Sequence, residues 1–140
     1  MAVLTAMTAR QTRNDSFASY ATYTCTTGTT IFEGSLVMVT SATGLALPGA
    51  DTAACAFVGI ATETVTSAPA GTTINVKFGH EELLGAASSL VAVVGAAVVI
   101  SDSDLVTTAA LGANDVKVGD LIQAVSTTAG WVRIRGAATL

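Results

Sequence analysis

Two segments of the chain alternate apolar and polar residues with a period of two. Thr73–Lys77 and Trp131–Arg135 each place aliphatic side chains at their second and fourth positions. This period is typical of a β-strand that buries one face and exposes the other. We therefore predict that Lys77 and the pair Arg133 and Arg135 lie on corresponding outward faces of two related strands.

Several other segments also favour β-structure. Runs rich in threonine or β-branched residues favour strands, and the Gly- or Pro-containing pairs between them favour turns. The runs are Thr22–Ile31, Leu36–Thr40 and Phe57–Val65, and the turns are Thr43-Gly44, Pro48-Gly49 and residues 69–71. Residues 80–89 are the one helix candidate, because Glu81 and Glu82 suit a first helical turn. Gly85 limits that helix to two turns.

Three segments recur in the same order roughly 60 residues further along the chain, which indicates two copies of one β-module. The matching pairs are 34–40 with 95–101, 58–65 with 118–125, and 71–77 with 130–135. The sequence thus predicts an all-β fold in which a duplicated small β-module forms a compact barrel or sandwich, with an extended N-terminal arm and at most one short helix. The predicted units are an arm at 1–22, a first module at 23–80, a connector at 81–93 and a second module at 94–140.

The composition narrows the classes of partner. Of the 140 residues, 51% are apolar and 11% are charged, and the net charge is −4. We expect a partner to cover part of such a weakly charged surface, although a monomer with a bland Thr/Ala surface is the alternative. The chain has no basic stripe, so no nucleic-acid partner is predicted. The uncharged stretch Leu83–Ile100 is interrupted by serine and glycine, so we interpret it as a connector and a buried strand and predict no membrane partner.

His80 is the single histidine of the chain, which argues against an enzyme. A histidine-based nucleophile would need a serine or cysteine and an orienting acid beside it. We expect His80-Glu81-Glu82 to be a solvated turn, because neighbours in a strand point to opposite faces and do not converge on a metal. A deep pocket holding His80 with Glu63 or Asp120 would revive an enzyme or a small-ligand binder.

No cofactor, metal or catalytic residue is predicted from the remaining candidates. Asp102 and Asp104 could share a face, but a hard cation needs several more oxygens, so we interpret them as a polar loop. Cys25 and Cys55 match no metal motif and are expected to be buried free thiols.

The predicted arm carries candidate partner-binding residues. Arg10 and Arg13 stand against one acid, Asp15, and three aromatic residues, Phe17, Tyr20 and Tyr23, lie at the inner end of the arm. Chain ends of this kind are usually disordered unless a neighbour holds them. We expect the aromatic residues to anchor the arm on its own body or on another subunit, and the arm to become ordered only on a partner.

Trp131, Arg133 and Arg135 form the second candidate set. The forked guanidinium group suits recognition of carboxylates, while a solvated strand face is the alternative. An exposed tryptophan beside two arginines is typical of a binding hot spot, and a tryptophan buried between two lobes would not be.

The order of these motifs resembles the small phage head decoration proteins of the capsid cement type. A Thr-rich start is followed by Gly34–Val37, Val58–Ala61, an uncharged Ala/Val run and Val118–Leu121. The resemblance covers about residues 22 to 136, so the arm falls outside it. It implies a non-enzymatic virion protein, located on the outer surface of an assembled capsid, with the major capsid protein as its partner.

This family implies a homotrimer or a dimer that bridges neighbouring capsomers and so stabilises the head. Three chains with two modules each would place six similar modules around one axis, so we predict the trimer. The alternative function is a self-assembling phage tail-tube or baseplate protein.

Overall fold

The computed structural model describes residues 11–50, 54–86, 97–100, 105–107 and 116–135. These residues form eleven strands, and the 3-10 turn Asp15–Phe17 is the only helical element among them. The strands are β1 (Thr12–Arg13), β2 (Ser19–Thr24), β3 (Leu36–Thr40), β4 (Ala46–Pro48), β5 (Cys55–Ala61), β6 (Thr73–Phe78), β7 (Glu81–Ala86), β8 (Ala97–Ile100), β9 (Leu105–Thr107), β10 (Lys117–Ser126) and β11 (Ala129–Ile134). The all-β prediction is confirmed.

The strands form two sheets that pack as a compact sandwich. The first sheet has the order β2-β6-β5-β3-β4, and the second has the order β1-β7-β11-β10-β8-β9. If β1 is left out, the second sheet repeats the strand order of the first. Each strand of the first sheet then corresponds to the strand numbered five higher, so that β2 corresponds to β7 and β6 to β11. The repeated segments therefore supply equivalent central strands, β6-β5-β3 in one sheet and β11-β10-β8 in the other.

The core has two parts that meet at the first sheet. Leu36, Phe57 and Ile60 of that sheet join the buried aliphatic residues of the second sheet in one cluster. Val37 and Val58 belong to a second cluster. Alternate residues of β3 and β5 thus face different cores, and this explains why both strands are apolar along much of their length.

The predicted alternation is confirmed in β6 and β11. Ile74 and Val76 are buried between more exposed neighbours in β6, and Val132 and Ile134 are buried in the same way in β11. The burial of these aliphatic residues fixes the direction of the polar side chains between them. Arg133 consequently points away from the core.

Two parts of the predicted arm are paired into the two sheets: residues 12–13 form β1, and residues 19–22 are the first part of β2. Strand β1 pairs with β7, and β2 pairs with β6 over six residue pairs. Both strands bury little apolar surface, as the exposed-intermediate pattern of β2 shows, so their sequences carry no strong apolar period. The predicted arm therefore does not extend over these residues, and residues 1–10, including Arg10, lie outside the described residues.

The helix predicted at 80–89 is wrong over the described part of that segment, since Glu81–Ala86 is strand β7. It pairs with β1 on one side and β11 on the other. Pairing on both sides outweighs the weak helical preference of the two glutamates, as tertiary context often does. The second sheet thus begins inside the predicted connector at 81–93, and residues 87–93 are not described.

Candidate partner-binding face

Four charged residues face one another across four neighbouring strands. Arg13 of β1 lies opposite Glu81 of β7, Glu81 lies opposite Arg133 of β11, and Arg133 lies opposite Asp120 of β10. Residues directly opposite each other in a sheet point to the same side. We call Arg13, Glu81, Arg133 and Asp120 the charge row; its charges alternate in sign.

Glu81 is the centre of this row and is 3% exposed. Its Oε1 accepts a hydrogen bond from Arg13 Nε at 2.6 Å, and its Oε2 accepts one from Asn14 Nδ2 at 2.7 Å. Arg133 Nη2 lies farther from Oε2, at 3.4 Å. Burial raises the pKa of Glu81, but the bonds from Arg13 and Asn14 outweigh burial and hold that pKa below its usual range. The carboxylate is therefore a fixed anion that ties β1 to β7.

Trp131 lies under Arg13. The guanidinium carbon of Arg13 is 4.3 Å from the ring centroid of Trp131, which is a cation–π distance. Arg13 Nη1 also donates to Gln123 Oε1 at 3.1 Å. Trp131 is only partly buried. It is therefore neither a freely exposed hot-spot residue nor a tryptophan buried between two lobes, the two alternatives that the sequence left open. Its ring instead helps to hold β1 through Arg13.

Arg133 and Arg135 find acidic partners that are distant in the sequence. Arg135 Nη2 donates to Asp120 Oδ2 at 2.6 Å, and Arg133 makes the long contact to Glu81 described above. The Arg133 side chain is 59% exposed, whereas that of Arg135 is 30% exposed. Arg133 therefore keeps most of its donors at the surface.

Two adjoining clefts lie beside these arginines. The described lining of the smaller cleft, about 240 Å³, includes Asn14, Phe17, Glu81 and Arg133. The larger cleft, about 560 Å³, also has Phe17 and Arg133 in its described lining, together with Arg135. Phe17 and Arg133 thus border both clefts.

Phe17 and Tyr20 are the most exposed large aromatic side chains in the described part of the chain, at 71% and 66%. These two side chains therefore do not anchor the N-terminal segment by burial on its own body, whereas the third predicted anchor, Tyr23, is partly buried against the second core cluster. Tyr20 lies on β2 opposite Lys77, and Lys77 Nζ binds Asp15 Oδ1 of the 3-10 turn at 2.9 Å. The ion pair connects β6 with the turn that carries Phe17.

Five of the seven predicted partner-binding residues are thus connected in space: Arg13, Phe17, Trp131, Arg133 and Arg135. We call these five residues the binding face. Tyr20 is on the neighbouring strand β2, and Arg10 is outside the described residues. The sequence analysis missed Glu81, the residue that connects the face, because its arginine partners are 68 and 52 positions away.

The solvated turn predicted at His80-Glu81-Glu82 is wrong. His80 is fully buried and Glu82 is 2% exposed, and His80 Nε2 lies 2.6 Å from Glu82 Oε1. The side chains of His80 and Glu82 point away from that of Glu81, as the alternation of a strand requires. His80 is not among the described residues that line either cleft.

The described residues contain no group of three or more His, Cys, Asp or Glu side chains that could hold a metal ion. Cys25 is buried and Cys55 is half-buried, and both are free thiols. Burial raises the pKa of each thiol, and a raised pKa reduces the fraction of reactive thiolate. Among the described segments, no helix has the length and apolarity needed to cross a membrane.

No protein-family model matches the chain, and no curated protein matches it in sequence. The binding face itself offers guanidinium donors, the exposed ring of Phe17 and the partly buried ring of Trp131, beside two adjoining clefts.

Proposed function

We propose that this chain is a structural virion protein that docks on the outer surface of an assembled phage capsid. Its partner is the major capsid protein, and it bridges neighbouring capsomers to stabilise the head. One observation supports this proposal most: five residues predicted to bind a partner converge on one face of a stiff sheet. The order of motifs that resembles the capsid cement proteins is the second support.

The face is suited to adhesion because its parts are already held in place. Arg13 and Glu81 are bonded before any partner arrives, so little side-chain freedom is lost on docking. A stable protein interface buries about 1,600 Å² in total, so a cement protein needs further contacts around the two clefts. Since it binds only the assembled lattice, its affinity adds to lattice stability by mass action.

We also propose that the protein acts as a homotrimer, with a dimer as the alternative. The duplicated module supports the trimer, because three chains would present six similar sheets to the six capsid subunits around a local threefold point. Native mass measurement of the purified chain at micromolar concentration tests this. Trimers are expected, and a monomer would remove the oligomer from the proposal.

Docking on emptied heads tests the function itself. Heads of the encoding phage that lack this protein are mixed with purified chain and sedimented, and the bound copies are counted. We expect saturable occupancy for the wild type, and strongly reduced occupancy for Phe17→Ala combined with Tyr20→Ala. The control is Val125→Ala, which removes another exposed apolar side chain (56% exposed) that is not in the described lining of either cleft and should dock normally.

The second candidate, a tail-tube or baseplate protein, predicts a different behaviour. Such proteins assemble into rings or filaments without a capsid. Sedimentation of the isolated chain separates the two functions, since a cement protein stays a small oligomer. Large rings or filaments, with no binding to heads, would favour the tail protein and contradict the cement.

A further inference from the structure

We propose that Arg133 and Phe17 form a receptor for an acidic side chain that is followed by an apolar one, presented by a partner protein. The carboxylate would occupy the clefts on Arg133, and the apolar side chain would lie on the ring of Phe17. The identity of the partner as the capsid protein rests on the proposed function. The chemistry of the receptor rests on the geometry below.

Arg133 is the residue with unused binding capacity. Its contact to Glu81 is 3.4 Å long, while Arg13 and Asn14 already hold the two Glu81 oxygens at 2.6 and 2.7 Å. A guanidinium has five N–H donors, and the Arg133 side chain is 59% exposed. A carboxylate arriving from a partner can thus take the paired N–H bonds that Glu81 leaves free.

The acid nearest to the larger cleft is already neutralised. Asp120 contributes to its lining, and Arg135 Nη2 binds Asp120 Oδ2 at 2.6 Å. The pair cancels the repulsion that Asp120 would exert on an incoming carboxylate. Because Arg135 neutralises Asp120, the positive charge of Arg133 remains available to a carboxylate in the clefts.

The backbone of Phe17 is held in place by its close approach to Gly79. Gly79 has a φ of +87°, and a Cβ at that position would lie 2.5 Å from the backbone oxygen of Phe17. The close approach of these two backbones fixes where the 3-10 turn sits. The ring of Phe17, 71% exposed, is therefore placed beside Arg133 with its apolar faces available, which a carboxylate alone would not use.

The charge distribution favours an acidic partner. The chain carries a net charge of −4 and six basic residues in all. Four of the six lie in or next to this region, namely Arg13, Lys77, Arg133 and Arg135, and their ion pairs bring in three acids, Asp15, Glu81 and Asp120. Four positive and three negative charges leave one positive charge here on a chain that is acidic as a whole, and this local excess favours an acidic group.

A peptide titration followed by NMR tests the receptor on the intact protein. The probe is acetyl-Ala-Glu-Leu-Ala-amide, and its matched control is acetyl-Ala-Gln-Leu-Ala-amide. We expect saturable shifts at the Arg133 Nε–H and at the backbone of residues 17 and 79 with the first peptide, weakening as salt is added. The glutamine peptide should bind about two- to fivefold more weakly than the glutamate peptide. This is the loss of affinity expected for one solvent-exposed ion pair.

Arg133→Gln should abolish this difference between the two peptides, and Phe17→Ala should weaken both. Lys117→Gln makes the same charge change at a residue that is not in the described lining of the clefts, and it should keep the preference. Thermal unfolding of each variant confirms that it is folded. Equal binding of both peptides, an unchanged preference in Arg133→Gln, or no saturation at millimolar peptide would each overturn the receptor.

A second copy of the chain is the competing occupant. If it fills the clefts, the same shifts appear on raising the protein concentration without peptide, and the proposal of a different partner protein is overturned. Failure of the receptor and failure of the proposed function are distinguishable. Peptide binding with no docking on heads contradicts only the capsid function, whereas head docking that Arg133→Gln leaves intact, with no peptide preference, contradicts only the receptor.

Discussion

Replacing Glu81 with glutamine removes the charge at the centre of the charge row and keeps the shape of the side chain. In the wild type, the buried carboxylate accepts bonds from Arg13 at 2.6 Å and from Asn14 at 2.7 Å. Hydrogen bonds to a charged group contribute roughly 1.5–3 kcal/mol each. Glutamine keeps one acceptor but turns an NH₂ group towards the other donor. We therefore expect Glu81→Gln to lower the free energy of unfolding by about 2–3 kcal/mol.

Double-mutant cycles show which arginine Glu81 needs. The Arg13 bond is short and one partner is buried, so its coupling to Glu81 should be about 1–2 kcal/mol. Arg133 is 3.4 Å away and mostly exposed, so its coupling should be about 0.5 kcal/mol or less, as for surface ion pairs. The two cycles combine Glu81→Gln with Arg13→Gln or with Arg133→Gln.

Urea unfolding followed by the fluorescence of Trp131, the single tryptophan, measures all of these variants. Because Arg13 lies over that ring, Arg13→Gln should also change the emission of the folded protein. Lys117→Gln is the control for a lost positive charge. Equal couplings, or a larger one for Arg133, would refute the argument that Arg133 is free to bind a partner.

Three further predictions concern pH, backbone and thiols. The folded state lowers the pKa of Glu81 from its usual 4.5. The ionised carboxylate therefore contributes fully to stability above pH 4.5, and this contribution is lost as the pH falls below that value. Urea titrations at several pH values should show this loss of stability, and the loss should be smaller in Glu81→Gln. Gly79→Ala should lower the free energy of unfolding by about 2–4 kcal/mol. Residue 79 has a positive φ, and the added Cβ would also lie 2.5 Å from a backbone oxygen. Gly28→Ala, with positive φ but open space, should cost only about 1–2 kcal/mol, and equal losses in the two variants would contradict the role of the contact. Ellman's reagent should modify Cys55 faster than Cys25 in the folded protein, because only Cys25 is fully buried, and equal rates would contradict that burial.

The alternation within single strands and the correspondence between the two modules could be predicted from the sequence, whereas the order of the strands within each sheet could not. The period of two in β6 and β11 depends only on neighbouring residues. The repeated segments indicated which strands are equivalent, and the structure places them at equivalent positions in the two sheets. Both signals come from the burial of aliphatic side chains such as Ile74 and Val132.

Glu81, which connects the binding face, could not be predicted from local sequence patterns. Glu81 looks like a solvated or helical glutamate because its sequence neighbours are polar, and its burial depends on Arg13 and Arg133 from distant strands. Strand β1 has only two residues and is held by charge and by Trp131 rather than by apolar burial. No local hydrophobic period could therefore identify it.

Electron cryomicroscopy of intact particles of the encoding phage tests the central claim most directly. The account predicts density for this chain on the outer surface of the head, at junctions between capsomers, with Phe17 and Arg133 turned towards the capsid. Density inside the particle or along the tail, or a binding face turned towards solvent, would contradict it.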